Sequence, residues 1–426
     1  MELCFQPGRI LLPGEEIRVE QWACLACDQY TSQPDYWQEA AALAAGGPSA
    51  LDIVLPEVYL DKVDTAARIE TIHKNMVRCR ETVLTRQVEG YLYLERTLPG
   101  GGVRQGLLGL VDLEQYDWRP GAACAVRPTE GTVPSRIAPR LAVRQGACLE
   151  SPHVMMLADD DGCTLVEPVA AEKARLRPLY SGPLAMNGGS VAGWAVEDEA
   201  LIARIGAAVQ ALGSQAVFDA KYPLAAGAPP LTLASGDGNH SLATAKAYWE
   251  QLKPTLNAGQ RGCHPARFCL AEVCNLHSPA IQFEPIHRVV FGVQGLTLLA
   301  EFKAWCAAHG AAADGPDGEQ CLTLVYGAWR RQVWVKNAPA ALAVGTVEAF
   351  LADYLMLHPA AAVDYIHGEE AVAELSGGGN TGILLPDFEK RDLFRGVVLG
   401  GVLPRKTFSM GHAQDKRYYL ECRAIV

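Results

Sequence analysis

The amino-acid sequence predicts a mixed α/β protein with two domains, and three observations support this class. A short apolar segment at residues 231–235 runs into a glycine turn and then into an Ala-, Leu- and Lys-rich stretch at 242–250, which is typical of strand, turn and helix. Two apolar segments, 88–96 and 103–114, flank a turn containing Pro and Gly and predict a hairpin. From about residue 293, helical and strand patterns alternate, which indicates a second α/β domain.

Composition places the chain among ordinary globular proteins. Its 426 residues are enough for two or three domains, and 49% hydrophobic with 20% charged residues argues against long disordered segments. The net charge of −11 argues against a protein that binds DNA without sequence preference, because such a protein needs a basic surface. A small anionic molecule held in a local basic pocket stays compatible with this charge.

Export and membrane signals are not visible in the sequence. No apolar run reaches the roughly 20 residues that a membrane span requires. The N-terminal stretch lacks the basic segment followed by an apolar one that a secretory signal shows. The 13 cysteines, an odd number, predict free thiols in a reducing compartment. We therefore expect a cytoplasmic protein without a membrane or nucleic-acid partner, and the oligomeric state is left open.

Two groups of cysteines match metal motifs only in part. Cys24 and Cys27 form a CxxC without a second pair at zinc spacing. A second cluster has irregular gaps that fit no standard zinc module. It comprises Cys263, His264, Cys269, Cys274 and His277. We expect mostly buried cysteines and no structural zinc, haem or flavin, and whether the second cluster binds a metal is left open.

The other elements follow from local patterns along the chain. An apolar N-terminal segment precedes an Ala-rich helix that opens at Tyr36 and Trp37, and residues 61–84 have the apolar spacing of a helix. Further helices are expected at 200–212, 296–309, 344–357, 369–375 and 387–396, strands at 152–158, 268–275, 281–291, 363–367 and 381–385, and a hairpin over 321–335. Three aspartates at 159–161 end one strand, and we interpret them as an exposed hairpin tip rather than a cation site.

The segment between the central strand and helix carries the densest group of chemically useful side chains. It consists of Gly236, Asp237, Gly238, Asn239, His240 and Ser241. A strand, a glycine turn and a helix start form an anion site, because the first N–H groups of the helix are unpaired and partly positive. Asp237 would repel a bare phosphate, so it favours a bridging Mg²⁺ or the removal of a proton from a substrate hydroxyl. The alternative is that Asp237 caps the helix and His240 fills its first turn.

These residues resemble a family signature. The motif GDGNHSLATAKA is similar to that of domain-of-unknown-function family 1015, a bacterial family related to the ParB and sulfiredoxin superfamily. In that family the turn commonly reads Asp-Gly-His-His-Arg, and the superfamily uses it to hold nucleotide phosphates. Asp237, Gly238 and His240 match, whereas Asn239 replaces a His and Ser241 replaces the Arg. The missing Arg means that a phosphate-binding cation must come from elsewhere.

Segments before the turn extend the resemblance. Arg127, Glu130 and Thr132 correspond in order to an Arg, a Glu and a Thr of the family, which implies contacts with the substrate or its phosphate. Asp28 lies where the family has a characteristic Asp near a Tyr, and the alternative is a surface cap.

A row of arginines follows the second of these segments. Arg136, Arg140 and Arg144 recur every four residues, so on a helix they share one face. Such a row is either an anion clamp or a solvated helix face.

Segments after the turn supply candidate cations. His287 and Arg288 lie in a Pro-x-His-Arg segment that the family shares, and strand alternation sends them to opposite faces. Only one of them is therefore expected to reach the site, and the alternative for His287 is a core histidine. Arg405, Lys406 and Thr407 belong to a tail segment that also matches the family, and the resemblance implies phosphate or substrate contacts for them.

The resemblance implies an enzyme. We expect binding of a nucleotide or another small anionic molecule, with Mg²⁺, and phosphoryl transfer to or from a small hydroxyl-bearing metabolite, by analogy with the free serine kinases of the superfamily. Asp237, His240 and Glu130 are the candidate catalytic residues, and Asp237 is also the candidate Mg²⁺ contact. A phosphoester hydrolase and a nucleotide-dependent switch without catalysis stay open as alternatives. The predicted domains are 1–292, with a ParB/sulfiredoxin-like core over about 125–292, and 293–426, and their motifs are expected to line one cleft.

Overall fold

The computed structural model describes residues 2–60, 64–313, 315–404 and 406–426. The chain forms two compact units, of which unit 1 comprises Met1–Ile281 with Gly411–Val426 and unit 2 comprises Gln282–Met410. The predicted boundary after residue 292 is therefore too late, and the predicted assignment of the whole tail to the second domain is wrong. The tail from Gly411 onwards belongs to unit 1, because two short strands near the C-terminus pair with strands of that unit.

Strands and helices follow each other in mixed order, which confirms the α/β class. The strands are β1 (Phe5–Gln6), β2 (Gly8–Leu12), β3 (Cys24–Leu25), β4 (Arg86–Thr97), β5 (Val103–Asp112), β6 (Val126–Pro128), β7 (Leu149–Glu150), β8 (Met155–Ala158), β9 (Arg177–Pro183), β10 (Ser190–Val196), β11 (Leu233–Asp237), β12 (Phe268–Asn275), β13 (Phe283–Phe291), β14 (Gln320–Tyr326), β15 (Trp329–Val335), β16 (Ala362–His367), β17 (Asn380–Leu384), β18 (Phe408–Met410), β19 (Arg417–Tyr418) and β20 (Arg423–Ala424). The helices are α1 (Val19–Trp22), α2 (Pro34–Ala44), α3 (Thr65–Thr82), α4 (Pro134–Arg144), α5 (Glu167–Ala171), α6 (Glu199–Leu212), α7 (Gln215–Lys221), α8 (Asn239–Leu252), α9 (Ala258–Cys263), α10 (Gly295–Ala308), α11 (Ala343–Leu357), α12 (Glu369–Leu375) and α13 (Lys390–Gly400).

Unit 1 is built on one large sheet. Its strand order is β6-β11-β8-β12-β5-β4-β10-β9, with β1 added to β5 and β2 added to β4. The pairs β6–β11 and β8–β12 are parallel, and the other pairs along this path are antiparallel. Alternate residues of the central strands pack into two separate cores, since Tyr91, Leu107 and Val273 lie in one and Leu92 and Leu108 in the other. Burial on both faces explains why these strands read as continuous apolar runs.

Unit 2 has its own antiparallel sheet. The strand order is β15-β14-β17-β13-β16, with β18 paired to β13. On one face, Phe302 of α10 and Phe350 of α11 pack with Val290 of β13. On the other, Val372 of α12 packs with Val289, again because neighbouring strand residues point to opposite faces.

Most predicted elements are present, with shifted ends. The predicted hairpin is β4–β5, in antiparallel register. The helix predicted over 61–84 is α3, which Asp64 caps by accepting a hydrogen bond from Ala67 N–H, and residues 61–63 lie outside the described part of the chain. The aspartates predicted to form an exposed tip do not all do so, because Asp160 is 2% exposed. Its carboxylate accepts hydrogen bonds from the N–H groups of Thr164 and Leu165, and this backbone pairing explains its burial.

The cysteines are free thiols, as predicted, and only Cys163 and Cys263 are exposed. Among the described residues, no single helix has the length and apolar composition of a membrane span. The pair α6 and α7, bent by 52°, meets these two criteria when taken together.

Candidate functional site

The predicted strand, turn and helix are present in unit 1. Strand β11 ends at Asp237, Gly238 alone makes the turn, and α8 begins at Asn239. The prediction that Gly236 belongs to the turn is wrong, because Gly236 lies in strand β11. The pairing of β11 with β8 shifts by one residue there, so Gly236 is the extra residue of a β-bulge. The bulge and the left-handed residue that follows direct the chain into the helix.

Gly238 is required at the turn for two reasons. Its φ of +76° lies in the left-handed region, which residues with a side chain seldom adopt. A Cβ atom added there would lie 2.9 Å from Val154 Cα and 3.1 Å from the carbonyl oxygen of His153. The start of α8 therefore lies against the segment that leads into β8, and only glycine permits this approach.

Replacing Gly238 with alanine is expected to lower the free energy of unfolding by about 2 kcal/mol or more, since the left-handed conformation alone costs roughly 1–2 kcal/mol. Urea unfolding of the two proteins measures the change. Gly227→Ala is the matched control, because Gly227 also has a positive φ of +83° but no atom within 4 Å of its added Cβ. Equal losses in both variants would show that contact with Val154 adds nothing.

The N-terminus of α8 has no side-chain cap among the described residues, which leaves its first N–H groups available to a ligand. Gly238 is the N-cap residue, and no side chain of the described chain caps the helix. The alternative in which Asp237 caps α8 is therefore wrong. Asp237 instead accepts a hydrogen bond from Lys416, with 3.2 Å between Oδ1 and Nζ. The first N–H groups of α8 thus lie next to a carboxylate–ammonium pair.

Lys416 reaches this position through the C-terminal tail. Strand β19 follows it directly and pairs with β3, and the N–H of Ala26 donates to the carbonyl oxygen of Lys416 at 2.8 Å. The negative charge of Asp237 raises the pKa of Lys416, and Asp28 and Glu130 act in the same direction against the effect of burial. Lys416 is therefore a cation among three carboxylates.

A second group of charges adjoins the first. Arg140 of α4 forms an ion pair with Glu57, and its Nη2 lies 3.9 Å from Asp28 Oδ2. His153 Nε2 lies 4.0 Å from Asp28 Oδ1 and 3.4 Å from Ser241 Oγ, in the first turn of α8. Asp28 therefore links the two groups. We call them together the acid–base cluster, which comprises Asp28, Glu57, Arg140, His153, Asp237, Ser241 and Lys416.

The two carboxyl groups beside Arg140 differ in acidity. Burial raises the pKa of Glu57, although Arg140 opposes this effect. Burial also acts to raise the pKa of Asp28, but His153, the hydrogen bond from Gln29, Lys416 and Arg140 outweigh it, and the net pKa is lowered. Neighbouring carboxyl groups with pKa values shifted in opposite directions suit a proton donor beside a charged base.

The other residues of the turn meet the loop after β6. The N–H of Val133 donates to His240 Nε2 at 3.2 Å, so this ring nitrogen is an acceptor rather than a proton donor. Within the described chain, Thr132 Oγ1 and Asn239 Oδ1 are buried without a hydrogen-bond partner. Buried polar atoms are nearly always paired in folded proteins, so a bound water or ligand is a natural partner for these two atoms.

Arg127 and Glu130 differ in how they relate to the cluster. Glu130 contributes to the raised pKa of Lys416 and thus belongs to its surroundings. Arg127 is buried, and its Nε and Nη2 donate to the carbonyl oxygens of Cys124 and Pro229. This arrangement holds β6 to a neighbouring loop, and a phosphate contact would compete with those bonds.

The remaining predicted residues lie in unit 2. His287 is 3% exposed and its Nδ1 accepts from the N–H of Leu385, which is the geometry of a core histidine. Arg288 is fully buried and pairs with Glu348 at 2.7 Å, so a phosphate contact would require breaking this pair.

The predicted tail residues Lys406 and Thr407 of unit 2 lie in different environments. Lys406 is exposed with a φ of +58°. Thr407 is buried and donates to Pro404. Arg405 lies outside the described residues. Their participation in one cleft with Asp237 stays a prediction.

The predicted Mg²⁺ contact has a limited set of ligands. Among the described residues, no group of three or more His, Cys, Asp and Glu side chains has the arrangement of a metal site. Asp237 faces the ammonium group of Lys416 instead. A cation could join this carboxylate only if other ligands, such as nucleotide phosphates, completed its coordination.

Comparison with known protein families identifies the family of this chain. Residues 11–355 match the model described as Protein of unknown function (DUF1015). The chain belongs to this family. Comparison of this DUF1015 protein with curated proteins finds no match.

Solved structures with a likeness to this DUF1015 protein have low sequence identity. SbnI with a C-terminal truncation from Staphylococcus aureus is 12% identical, with a TM-score of 0.36 over 71% of this chain and 82% of that chain. Free serine kinase in complex with AMP is 9% identical, with a TM-score of 0.35 over 73% and 90%. A conserved hypothetical protein from Pyrococcus furiosus is 10% identical, with a TM-score of 0.32 over 71% and 89%. The ParB/sulfiredoxin-like core stays a prediction.

Some residues of the acid–base cluster in this DUF1015 protein were not recognised from sequence patterns. Glu57, His153 and Lys416 were not predicted as site residues. Each lies beside a short element rather than in a recognisable motif, since Glu57 starts a one-turn 3-10 helix and Lys416 precedes a two-residue strand. The available signal was the pair of cations Lys416 and Arg417 directly before two tyrosines.

Proposed function

We propose that this protein is an enzyme that binds a nucleotide or a phosphorylated small molecule at the start of α8. It transfers a phosphoryl group to or from a small hydroxyl-bearing metabolite. The observation that carries the proposal is the N-terminus of α8, which no described side chain caps, beside the pair formed by Asp237 and Lys416. Helix N-termini of this kind favour anions, and glycine allows a ligand to approach the backbone closely.

Charge neutralisation decides which form of the nucleotide would bind. The carboxylates of Asp28, Glu130 and Asp237 all act on Lys416, so the surroundings of the helix start are negative overall. A nucleotide would therefore bind as its Mg²⁺ complex, because the bare polyphosphate would be repelled. Lys416 would supply the protein cation that the family's missing Arg would otherwise provide.

The residues at the turn would then have separate tasks. The N–H groups of α8 would bind a transferring phosphoryl group, and positioning with charge stabilisation is most of what phosphoryl transfer requires. Asp237 would accept the proton of the substrate hydroxyl. The hydroxyl oxygen would form the new bond to phosphorus while the bond from phosphorus to the leaving oxygen breaks. Lys416 would hold the side chain of Asp237 in position through its hydrogen bond to Oδ1.

Phosphorus NMR with a panel of substrates tests this function. The protein is incubated with ATP or ADP, Mg²⁺ and small hydroxy-compounds, and a new phosphomonoester signal is the expected result. Inorganic phosphate as the only product would instead support the phosphoester hydrolase. Nucleotides that raise the melting temperature without being turned over would support the non-catalytic switch. If no nucleotide or phosphorylated metabolite shifts the melting temperature, the phosphate site at α8 is wrong.

A further inference from the structure

A pocket in unit 1 opens beside the acid–base cluster. Its cavity volume is about 160 Å³. Its walls are largely apolar and include Ile53, Leu55, Met76, Val143, Leu149 and Leu270. Its polar side is formed by residues of the cluster, namely Asp28, Glu57, Arg140, His153 and Ser241. The pocket and the start of α8 therefore share side chains.

We propose that this pocket holds the hydroxyl-bearing substrate, and that this substrate is a neutral or cationic molecule with a compact apolar body about the size of a benzene ring. The identity of the ligand as a phosphoryl acceptor or donor rests on the function proposed above. The occupancy of the pocket by such a molecule does not rest on it, and the two can be tested apart.

The size of the cavity sets the size of the apolar body. Engineered apolar cavities of about 150 Å³ in another protein bind benzene, so a cavity of about 160 Å³ admits a single ring or a branched chain of similar volume. The side chains that form the walls, such as Met76, Leu149 and Leu270, are 5% exposed or less, so the pocket extends into the core. A larger ligand such as a whole nucleotide would have to lie mostly outside it.

Charge at the polar side selects the class of polar group. Arg140 at this polar side is already paired with Glu57 and lies near Asp28. The other arginine of the lining, Arg144, pairs with Glu150 at 2.7 Å, and Glu150 also pairs with Arg423. An anionic ligand would have to compete with these carboxylates for the two arginines, whereas a hydroxyl or an ammonium group can donate to the carboxylate of Asp28.

The shared side chains orient the substrate. Ser241 lies in the first turn of α8 and also lines the pocket, and its hydroxyl is 3.4 Å from His153 Nε2. A molecule with its apolar body against Val143 and Leu270 would therefore present a polar end toward the N-terminus of α8. That end is where the proposed phosphoryl transfer requires a hydroxyl.

Binding of three ring compounds tests the pocket directly. Benzyl alcohol, benzylamine and benzoate have the same ring and differ in charge, and protein-observed NMR titration gives their dissociation constants. Benzyl alcohol and benzylamine are expected to bind, and benzoate is expected to bind at least about 10-fold more weakly, because both arginines of the lining are already paired with carboxylates. Preferred binding of benzoate, or no binding of any ring, would overturn the proposal.

Variants show whether the rings bind in this pocket. Val143→Phe and Leu60→Phe each place a ring in the cavity from a different side, and both line it at half-buried positions. Each variant is expected to weaken benzyl alcohol binding at least about 10-fold, since the filled volume excludes the ligand. Val77→Phe is the matched control, because Val77 is on α3 next to Met76 but is 48% exposed. Unchanged binding in both filled variants, with melting temperatures showing that they are folded, would place the rings elsewhere.

The same variants separate this inference from the function proposed above. Mg²⁺–ATP binding, measured by its effect on the melting temperature, is expected to be unchanged in Val143→Phe. Ring binding without nucleotide binding would support the pocket and contradict phosphoryl transfer. Nucleotide binding without ring binding would contradict the pocket alone.

Discussion

Replacing Asp237 with asparagine is expected to lower the rate of phosphoryl transfer by about 10²–10⁴-fold, the usual contribution of a general base. Asparagine keeps nearly the same volume and removes the negative charge. It cannot accept the hydroxyl proton, and its neutral amide oxygen binds a cation that bridges to phosphate more weakly than a carboxylate does. The hydrogen bond from Lys416 Nζ can still be made to the amide oxygen, so the geometry of the turn is retained.

The same substitution is expected to have little effect on stability. Asp237 does not cap α8, and its ion pair with Lys416 is partly exposed, with 17% and 22% of the two side chains accessible. Asparagine can still accept the hydrogen bond of Lys416, so the ammonium group is not left without a partner there. Asp28 and Glu130 still neutralise Lys416 after the change. A melting temperature close to that of the wild type would therefore accompany the loss of rate.

Turnover by phosphorus NMR and thermal unfolding of the same samples measure the two effects. Asp161→Asn is the matched control, because it removes the same charge at the end of β8, where the side chain is 75% exposed. Its rate and melting temperature are expected to stay close to those of the wild type. An Asp237→Asn protein that retains its rate would remove Asp237 from the chemistry and leave it a structural partner of Lys416.

Local patterns were sufficient for most elements around the site. The apolar run of β11 and the Ala- and Leu-rich stretch of α8 each carry the period of their structure, and the glycine between them marks the change of direction. The arginine row was also correctly placed on one helix, α4. Such predictions succeed because the interactions that fix them lie within a few residues of each other.

The partners of those elements could not be derived in the same way. Arg140 pairs with Glu57 and Arg144 with Glu150, and periodicity shows only that the two arginines share a helix face. Lys416 meets Asp237 across 179 residues of sequence, through the pairing of two-residue strands that carry almost no pattern of their own. Charge pairs over such separations depend on the completed fold, and a single sequence contains no direct sign of them.

Glu421 is expected to make unit 1 less stable as the pH rises from about 5 to 8. Its side chain is completely buried, and the hydroxyl of Tyr180 donates to Oε1. Within the described chain, Oε2 has no hydrogen-bond partner. Burial raises the pKa of Glu421 from 4.5 to about 7, and the charge of Glu272 adds to this effect. The folded protein therefore retains a proton that the unfolded chain releases.

The sign of the effect follows from these proton affinities. Below pH 4.5 the carboxyl group is protonated in both states, and its contribution to stability is complete. Between pH 4.5 and about 7 the unfolded chain ionises first, so the free energy of unfolding falls with rising pH. A shift from 4.5 to about 7 corresponds to a total loss of about 3 kcal/mol at 1.36 kcal/mol for each pH unit.

A Glu421→Gln variant isolates this loss, because its amide oxygen can still accept from Tyr180 and it does not ionise. Urea unfolding at pH 5 and pH 8 is expected to show the variant gaining about 2.5 kcal/mol relative to the wild type over this range, because part of the total loss has already occurred at pH 5. Any fixed cost of burying the amide N–H groups is the same at both pH values and cancels in the comparison. Glu39→Gln, at an exposed position on α2, is expected to keep the pH dependence of the wild type. If Glu421→Gln and the wild type lose stability in parallel, Glu421 is already ionised in the folded protein at pH 5, and the unpaired Oε2 must be stabilised by a bound water or cation.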